Sequence, residues 1–341
     1  MVRCNIPYLC IKRADGLAFF LISHTMQKIP QVDLNDFLSE DPKQRIAFVQ
    51  KVGASFEEIG FIALKGHFLE PQLQTALYSE IKTFFALPEK IKKQYEIEGG
   101  GGQRGYTGFG KEHAEGRTVG DLKEFWHFGQ DLKRQPQLKS LYPENVGVQE
   151  LESFNPVGNT VFRRLEKTAQ VLLQAIALYL DLEANYFDQF ILEGNSILRA
   201  IHYPPITKSP QEAERAAAHG DINLITLLMG AQGNGLQVLN RQKQWIDAIA
   251  EPDELIVNIG DMLSRLTNNK LPSTIHRVIN PPEKDWGKAR YSLPFFMHPV
   301  PHMPLNCLPQ TVDEKHPKRY KDITAGEFLR QRLIALGLLD D

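Results

Sequence analysis

The chain has 341 residues, of which 42% are hydrophobic and 23% charged, with a formal net charge of −2. That length allows one large domain or two smaller ones, and the composition is ordinary for a globular enzyme. The near-zero charge gives no reason to expect nucleic acid or an anionic membrane surface as a partner, and no apolar run approaches the roughly 20 residues of a membrane helix.

Residues 1–25 read as an extension, with Met26 as the expected start of the domain; an added edge strand from Ala18 to Ser23 is the alternative. The text then changes to Gln27-Lys28-Ile29-Pro30-Gln31-Val32-Asp33-Leu34, a strand leading inward. Residues 41–59 space their apolar side chains as a helix, stopped by Gly60, and residues 61–64 follow as a short strand. A second helix is predicted over 70–86, with Pro71 in its first turn where the missing N–H costs little. A third begins at Pro88 and ends before the glycines.

Gly100, Gly102 and Gly105 satisfy GxGxxG on paper, but a helix precedes them and none opens after them. Residues 99–110 are therefore expected to be a mobile loop near a site mouth rather than a nucleotide cradle. Residues 121–129, with Phe125, Trp126 and Phe128, read as core or pocket lining. A long amphipathic helix is predicted over 159–182, backing a sheet, and a short helix ends by Gly194. Thereafter the period approaches two. Strands are predicted at 196–203, 222–229, 235–240, 243–248, 255–259, 274–279 and 290–297. So many short strands argue for a double-sheet architecture, a jelly roll or a closed barrel. A last helix is predicted from Thr324 to Leu336, with Phe328, Leu329, Leu333 and Leu336 on one side.

The chemistry centres on His219-Gly220-Asp221 and the distant His276. Residues i and i+2 of a strand share a face, so His219 and Asp221 are expected to open a strand side by side, with His276 arriving from another. Two imidazoles and a carboxylate on one side of an ion, with the other positions open, suit non-haem Fe(II) and its oxygen chemistry. Arg290 and Ser292 also share a face. A guanidinium can grip a carboxylate bidentately while a hydroxyl donates to it.

These stretches resemble the isopenicillin N synthase-like branch of the iron(II)/2-oxoglutarate-dependent dioxygenases. The likeness runs in order from residue 26 to 300. It takes in Ile29-Pro30-Gln31-Val32-Asp33-Leu34, Asp121-Leu122-Lys123-Glu124-Phe125-Trp126, His202-Tyr203-Pro204-Pro205, His219-Gly220-Asp221, Gly235-Leu236-Gln237-Val238, Asn258-Ile259-Gly260-Asp261-Met262, Leu266-Thr267-Asn268-Asn269, His276-Arg277-Val278 and Arg290-Tyr291-Ser292-Leu293-Pro294-Phe295-Phe296. The resemblance implies an α+β chain with a mainly β core. That core would be a distorted double-stranded β-helix, a jelly-roll variant, with an N-terminal helical region and a long backing helix. It implies His219, Asp221 and His276 as iron ligands and Arg290 and Ser292, helped by Tyr203, as contacts to 2-oxoglutarate. It further implies a helical N-terminal region over 26–150, the oxygenase core over 151–310 and a helical tail over 311–341.

Many members that use 2-oxoglutarate carry Asn-x-Tyr ahead of the proline; here the Asn position is Ile201, while Tyr203 remains. Isopenicillin N synthase also lacks that Asn, uses no 2-oxoglutarate and sets its RxS on a substrate carboxylate. The expected activity is oxidation of a small organic molecule by hydroxylation, desaturation or ring closure. It consumes O2 and decarboxylates 2-oxoglutarate to succinate, with ascorbate as a supporting reductant. The alternatives are an oxidase of the isopenicillin N synthase or aminocyclopropane-carboxylate oxidase kind and, in another class, a non-catalytic small-molecule sensor. Zinc hydrolysis finds no general base marked beside the ligands. The expected partner is a small-molecule substrate, with a monomer or dimer, no nucleic acid and no membrane. The three cysteines, Cys4, Cys10 and Cys307, lack disulfide or zinc spacing and fit a reducing cytoplasm.

Other polar residues receive plainer readings. His202 should face away from Tyr203 as a packed or surface histidine, and His298 and His302 read as loop histidines rather than a second metal site. Arg199 and Arg277 read as structural ion-pair partners, Asp261 as a turn residue or a support to a ligand. The charges from Lys208 to Arg215 read as a solvated loop or lid.

Overall fold

The computed structural model describes residues 28–98, 102–111, 122–207, 214–232, 235–336 and 338–339, with the paired backbone of Arg13–Ala14 and Leu17–Ala18. Apart from those pairs, the readings made for residues 1–25 lie outside the described residues, as do those for 99–101, 112–121 and the stretch 208–213.

The chain enters through β1 (Gln31–Asp33), then α1 (Pro42–Ile59) and β2 (Phe61–Lys65). The Asp41 side chain caps α1 by accepting from the Lys43 N–H at 2.9 Å, and Pro42 suits the first turn. Gly60 ends the helix with φ +72°; a Cβ there would lie 2.5 Å from Thr274 Oγ1. Helix α2 (Pro71–Phe85) and the strands β3 (Gly105–Thr107) and β4 (Glu124–Gly129) follow. Residues 105–107, expected in the glycine-rich loop, instead form an edge strand paired with β4. Gly105 makes this possible: its φ is +67°, and a Cβ would meet the Tyr95 carbonyl oxygen at 2.4 Å.

Helix α3 (Phe154–Tyr179) starts ahead of the predicted boundary and packs its apolar face beneath the sheet, with Val161, Leu165, Leu172 and Ile176 fully buried. It leads into β5 (Ile197–Tyr203), β6 (Ala216–His219), β7 (Ile225–Gln232), β8 (Leu236–Leu239), β9 (Trp245–Asp247) and β10 (Leu255–Ile259). The short helix α4 (Asp261–Leu266), then β11 (His276–Val278), β12 (Arg290–Met297) and α5 (Ala325–Ala335) complete the chain.

The strands β1 to β12 form two sheets. The larger has eight, in the order β1-β2-β10-β7-β12-β5-β4-β3; the smaller has four, β9-β8-β11-β6. All neighbours pair antiparallel except β1 with β2. The outer face of the large sheet buries its apolar side chains against α1, α2 and α3, and this is the main core. Its inner face meets the small sheet across a cavity of about 540 Å³. Among the described residues no helix is long and apolar enough to cross a membrane.

Candidate metal centre and carboxylate clamp

His219 ends β6, and His276 opens β11 directly opposite it in an antiparallel pair. Cross-strand neighbours have their side chains on one face, so the two imidazoles meet with ring centroids 4.5 Å apart. Asp221 follows His219 in the turn beyond β6. The pair therefore closes a strand rather than opening one, because Gly220 and the departure of the chain toward β7 end the ladder there. The spacing still delivers both side chains to one place. Asp221 Oδ1 lies 3.9 Å from His219 Nε2 and 3.8 Å from His276 Nε2. Among the described residues these three form a group able to hold a metal ion, and His298 with His302 forms no other.

Each imidazole is turned by a backbone carbonyl. His219 Nδ1–H donates to Ala217 O at 2.7 Å, and His276 Nδ1–H to Thr274 O at 3.2 Å. Both rings thus keep the Nε2 lone pair for the space beside Asp221. Thr274 is itself anchored, its hydroxyl donating to Ile59 O at 2.7 Å, so the Gly60 turn of α1 helps to aim His276. Phe61 packs edge-on against the His276 ring.

Asp221 is gripped from the large sheet. Its Oδ2 accepts from Thr226 Oγ1 on β7 at 2.6 Å and from Asn258 Nδ2 on β10 at 2.8 Å. Oδ1 is left to face the imidazoles. Burial opposes ionisation of this carboxyl, but His276, His219 and the two donors outweigh it and hold its pKa below the ordinary value. The His219 ring keeps 38% of its side chain accessible, yet the protein around it pushes its pKa down to about 4, with His276 adding to the effect. At neutral pH the site therefore offers a neutral imidazole and an anionic carboxylate, the protonation states metal binding requires. Asp261 supports the turn, its N–H donating to Asp221 O at 2.7 Å.

Arg290 and Tyr203 are opposite one another on β12 and β5, with Ser292 opposite Ile201. Arg290 is 2% exposed, and none of its three guanidinium nitrogens has a hydrogen-bond partner among the described residues. Its guanidinium lies 5.1 Å from the Tyr203 ring centroid. A buried cation with no partner is costly, and an anionic ligand removes the cost. The Ser292 hydroxyl, two residues along, lines the cavity. This donor set fits the end carboxylate of a dicarboxylate such as 2-oxoglutarate.

The other polar residues find these places. Arg215 is not solvated; it is 4% exposed, and its Nη2 donates to Lys288 O at 3.2 Å. Arg199 donates from Nε to His127 Nε2 at 2.6 Å, and Arg277 donates to Gln237 Oε1 and lies over Trp245. His298 is buried on the cavity wall. His202 does face away from Tyr203, donating to Glu124 Oε1 at 2.7 Å. The apolar side of α5, read only as a tail, brings Leu329, Leu333 and Leu336 to the cavity. Thr226 carried no motif; only its inward parity on β7 could have pointed to it.

Two family models match the chain. Residues 29–150 match the N-terminal region of a non-haem dioxygenase in morphine synthesis, and residues 194–299 match the 2OG-Fe(II) oxygenase superfamily. A 2-oxoglutarate-Fe(II) type oxidoreductase of Emericella nidulans is 30% identical over 311 residues, covering 88% of each chain. Another from Aspergillus fumigatus is 31% identical, covering 89% of this chain and 92% of its own. Among solved structures, a 2OG-Fe(II) oxygenase family protein from Caulobacter crescentus superposes with TM-score 0.81 at 44% identity, covering 90% of this chain and 98% of its own. A full-length Neurospora crassa protein in complex with alpha-KG and thymine does so with TM-score 0.78 at 29% identity, covering 95% and 98%.

Proposed function

The chain belongs to the iron(II)/2-oxoglutarate-dependent oxygenases, and from that premise we propose which of its residues carry the reaction. It is an enzyme that uses Fe(II) and 2-oxoglutarate to oxidise a small molecule. In our reading His219 and His276 bind the iron through Nε2 and Asp221 through Oδ1. The observation that carries this assignment is the shared orientation: both Nδ1–H groups are spent on carbonyls and Oδ2 on two donors, so the three remaining ligand atoms converge.

Arg290 holds the distal carboxylate of 2-oxoglutarate, Ser292 donates to it, and Tyr203 lines the same end. Iron and 2-oxoglutarate, when bound, supply the oxidising chemistry, which joins O2, 2-oxoglutarate and a substrate C–H bond to give succinate, CO2 and an alcohol. The protein's own part is geometric and dielectric. Thr226 and Asn258 fix the carboxylate, the carbonyls of Ala217 and Thr274 fix the rings, and apolar walls such as Leu228, Leu236 and Phe61 keep water from the centre. The two facing sheets are consistent with a distorted double-stranded β-helix, with residues 26–150 as an N-terminal region, 151–310 as its core and 311–341 as a tail over the cavity.

The test is O2 uptake measured together with succinate release, with added Fe(II) and 2-oxoglutarate. Equal amounts of succinate and consumed O2, lost in His219→Ala, support the assignment. O2 uptake without succinate would move Arg290 to a substrate carboxylate, as in an oxidase.

A further inference from the structure

A second buried cation stands beside the Arg290 clamp. Arg215 sits at the entry to β6, in the smaller sheet, just ahead of the strand that ends in His219. It is 4% exposed, and its guanidinium lies 5.8 Å from the Tyr203 ring centroid, against 5.1 Å for Arg290. One tyrosine at the cavity wall thus has two guanidiniums beside it, one brought by each sheet.

Arg215 is held in place before any ligand arrives. Its Nη2 donates to Lys288 O at 3.2 Å, two residues ahead of Arg290 on the approach to β12. Its Nε is buried with no hydrogen-bond partner among the described residues, as are all three guanidinium nitrogens of Arg290. Neither cation forms an ion pair among the described residues. Burial first, and the charge of Arg290 second, push the Arg215 pKa below the ordinary value, while the Tyr203 hydroxyl opposes them. Guanidiniums keep their protons, so two like charges are buried near one another and each raises the cost of the other. A role in packing accounts for the single bond to Lys288 O, which a neutral donor would make without burying a second charge. An anion shared by both cations relieves both.

We propose that Arg215 is a second arm of the cosubstrate clamp, so that the distal carboxylate of 2-oxoglutarate is received by Arg290 and Arg215 together beside Tyr203. An ionised carboxylate has about four lone-pair sites, enough for two guanidiniums and the Ser292 hydroxyl. The inference rests on the oxygenase reading above and deepens it, by adding a specificity-determining residue outside the Arg-x-Ser pattern. Recognition of the far carboxylate then depends on two charges, which widens the gap between 2-oxoglutarate and a 2-oxo acid that ends in a methyl group.

The experiment is anaerobic calorimetry on the full chain loaded with Fe(II). The titrants are 2-oxoglutarate and 2-oxopentanoate, which has the same carbon chain with a methyl in place of the distal carboxylate. In Arg215→Gln, 2-oxoglutarate should bind about tenfold to a hundredfold more weakly, with no matching loss for 2-oxopentanoate. Arg215→Lys, which keeps the charge without the fork, should recover part of the loss. Unchanged 2-oxoglutarate binding in Arg215→Gln would overturn the proposal, as would an equal loss for both acids or no recovery in the Lys variant. If Arg215→Gln does not fold, the Lys variant decides against the unaltered protein: weaker 2-oxoglutarate binding supports the second arm, and equal binding overturns it. Failure of the underlying oxygenase reading shows separately, as no 2-oxoglutarate binding by the unaltered protein.

Discussion

Two buried charged clusters sit back to back on β5 and β12, one residue out of step. On the outer face Glu124 accepts from Lys92 Nζ at 2.7 Å, from the Tyr106 hydroxyl and from His202 Nδ1 at 2.7 Å, and the His202 ring stacks on Tyr291. On the inner face, Arg290 next to Tyr291 and Tyr203 next to His202 form a cluster whose cation has no hydrogen-bond partner among the described residues. Both clusters are buried. The first supplies all the partners its charges need and is complete as folded; the second is built to be completed by a ligand. Burial and charge alone do not mark a site, but burial, charge and missing partners together do.

The comparison can be tested from both sides. The largest effect lies at the metal: His219→Ala should lower turnover by about a thousandfold or more, since the ion supplies several kcal/mol of the barrier reduction. Iron content after anaerobic purification checks it. Glu124→Gln should cost about 3–5 kcal/mol in chemical denaturation, because it strands Lys92 in the interior. The affinity for 2-oxoglutarate should stay within about twofold, and a large loss there would erase the distinction between the two faces.

His298 stands between the two cases, buried and with no partner for Nδ1 among the described residues, but neutral. Burial pushes its pKa down to about 4 from an unfolded value of 6.5. Between those values the unfolded chain takes up a proton that the folded chain refuses. This imidazole should therefore cost the metal-free protein on the order of 3 kcal/mol as pH falls from 6.5 to 4, beside a further loss of the same sign from His219, with no contribution above 6.5. His298→Leu should flatten that part of the profile; an unchanged slope would mean the imidazole is not shielded.

Arg290→Met should weaken 2-oxoglutarate binding about tenfold to a hundredfold, measured by anaerobic calorimetry. Unlike Glu124→Gln, it should leave the unliganded protein as stable as before or more so, because it removes a buried cation that no described residue hydrogen-bonds. Last, Thr226→Val should weaken Fe(II) binding by about tenfold by loosening Asp221, with little effect on the 2-oxoglutarate clamp.

Much of the site was legible because strand parity is a strong code. The strands at 255–259 and 290–297 were placed to the residue, and parity put Arg290 and Ser292 on one face. The same parity, carried four residues back from Tyr203 and on to His298, would have found Arg199 and His298 on the cavity wall; a lone Arg or His has no motif to prompt the step. Strand β4 hid because it is buried on both faces, Trp126 against Phe154 on one side and Phe125 with Ile201 and Tyr203 on the other. Its alternation is therefore erased. The apolar stripe of α5 was visible, but amphipathicity does not say whether a face covers core or cavity. Thr226 and Asn258 were silent because their role exists only once β7 and β10 stand beside the turn after β6.

The most direct measurement is a crystal structure after anaerobic soaking with Fe(II) and 2-oxoglutarate, with anomalous scattering to locate the iron. The account expects the iron among His219 Nε2, His276 Nε2 and Asp221 Oδ1, and a carboxylate paired with Arg290. Iron bound elsewhere, or a 2-oxoglutarate that leaves the Arg290 guanidinium unpaired, would contradict it.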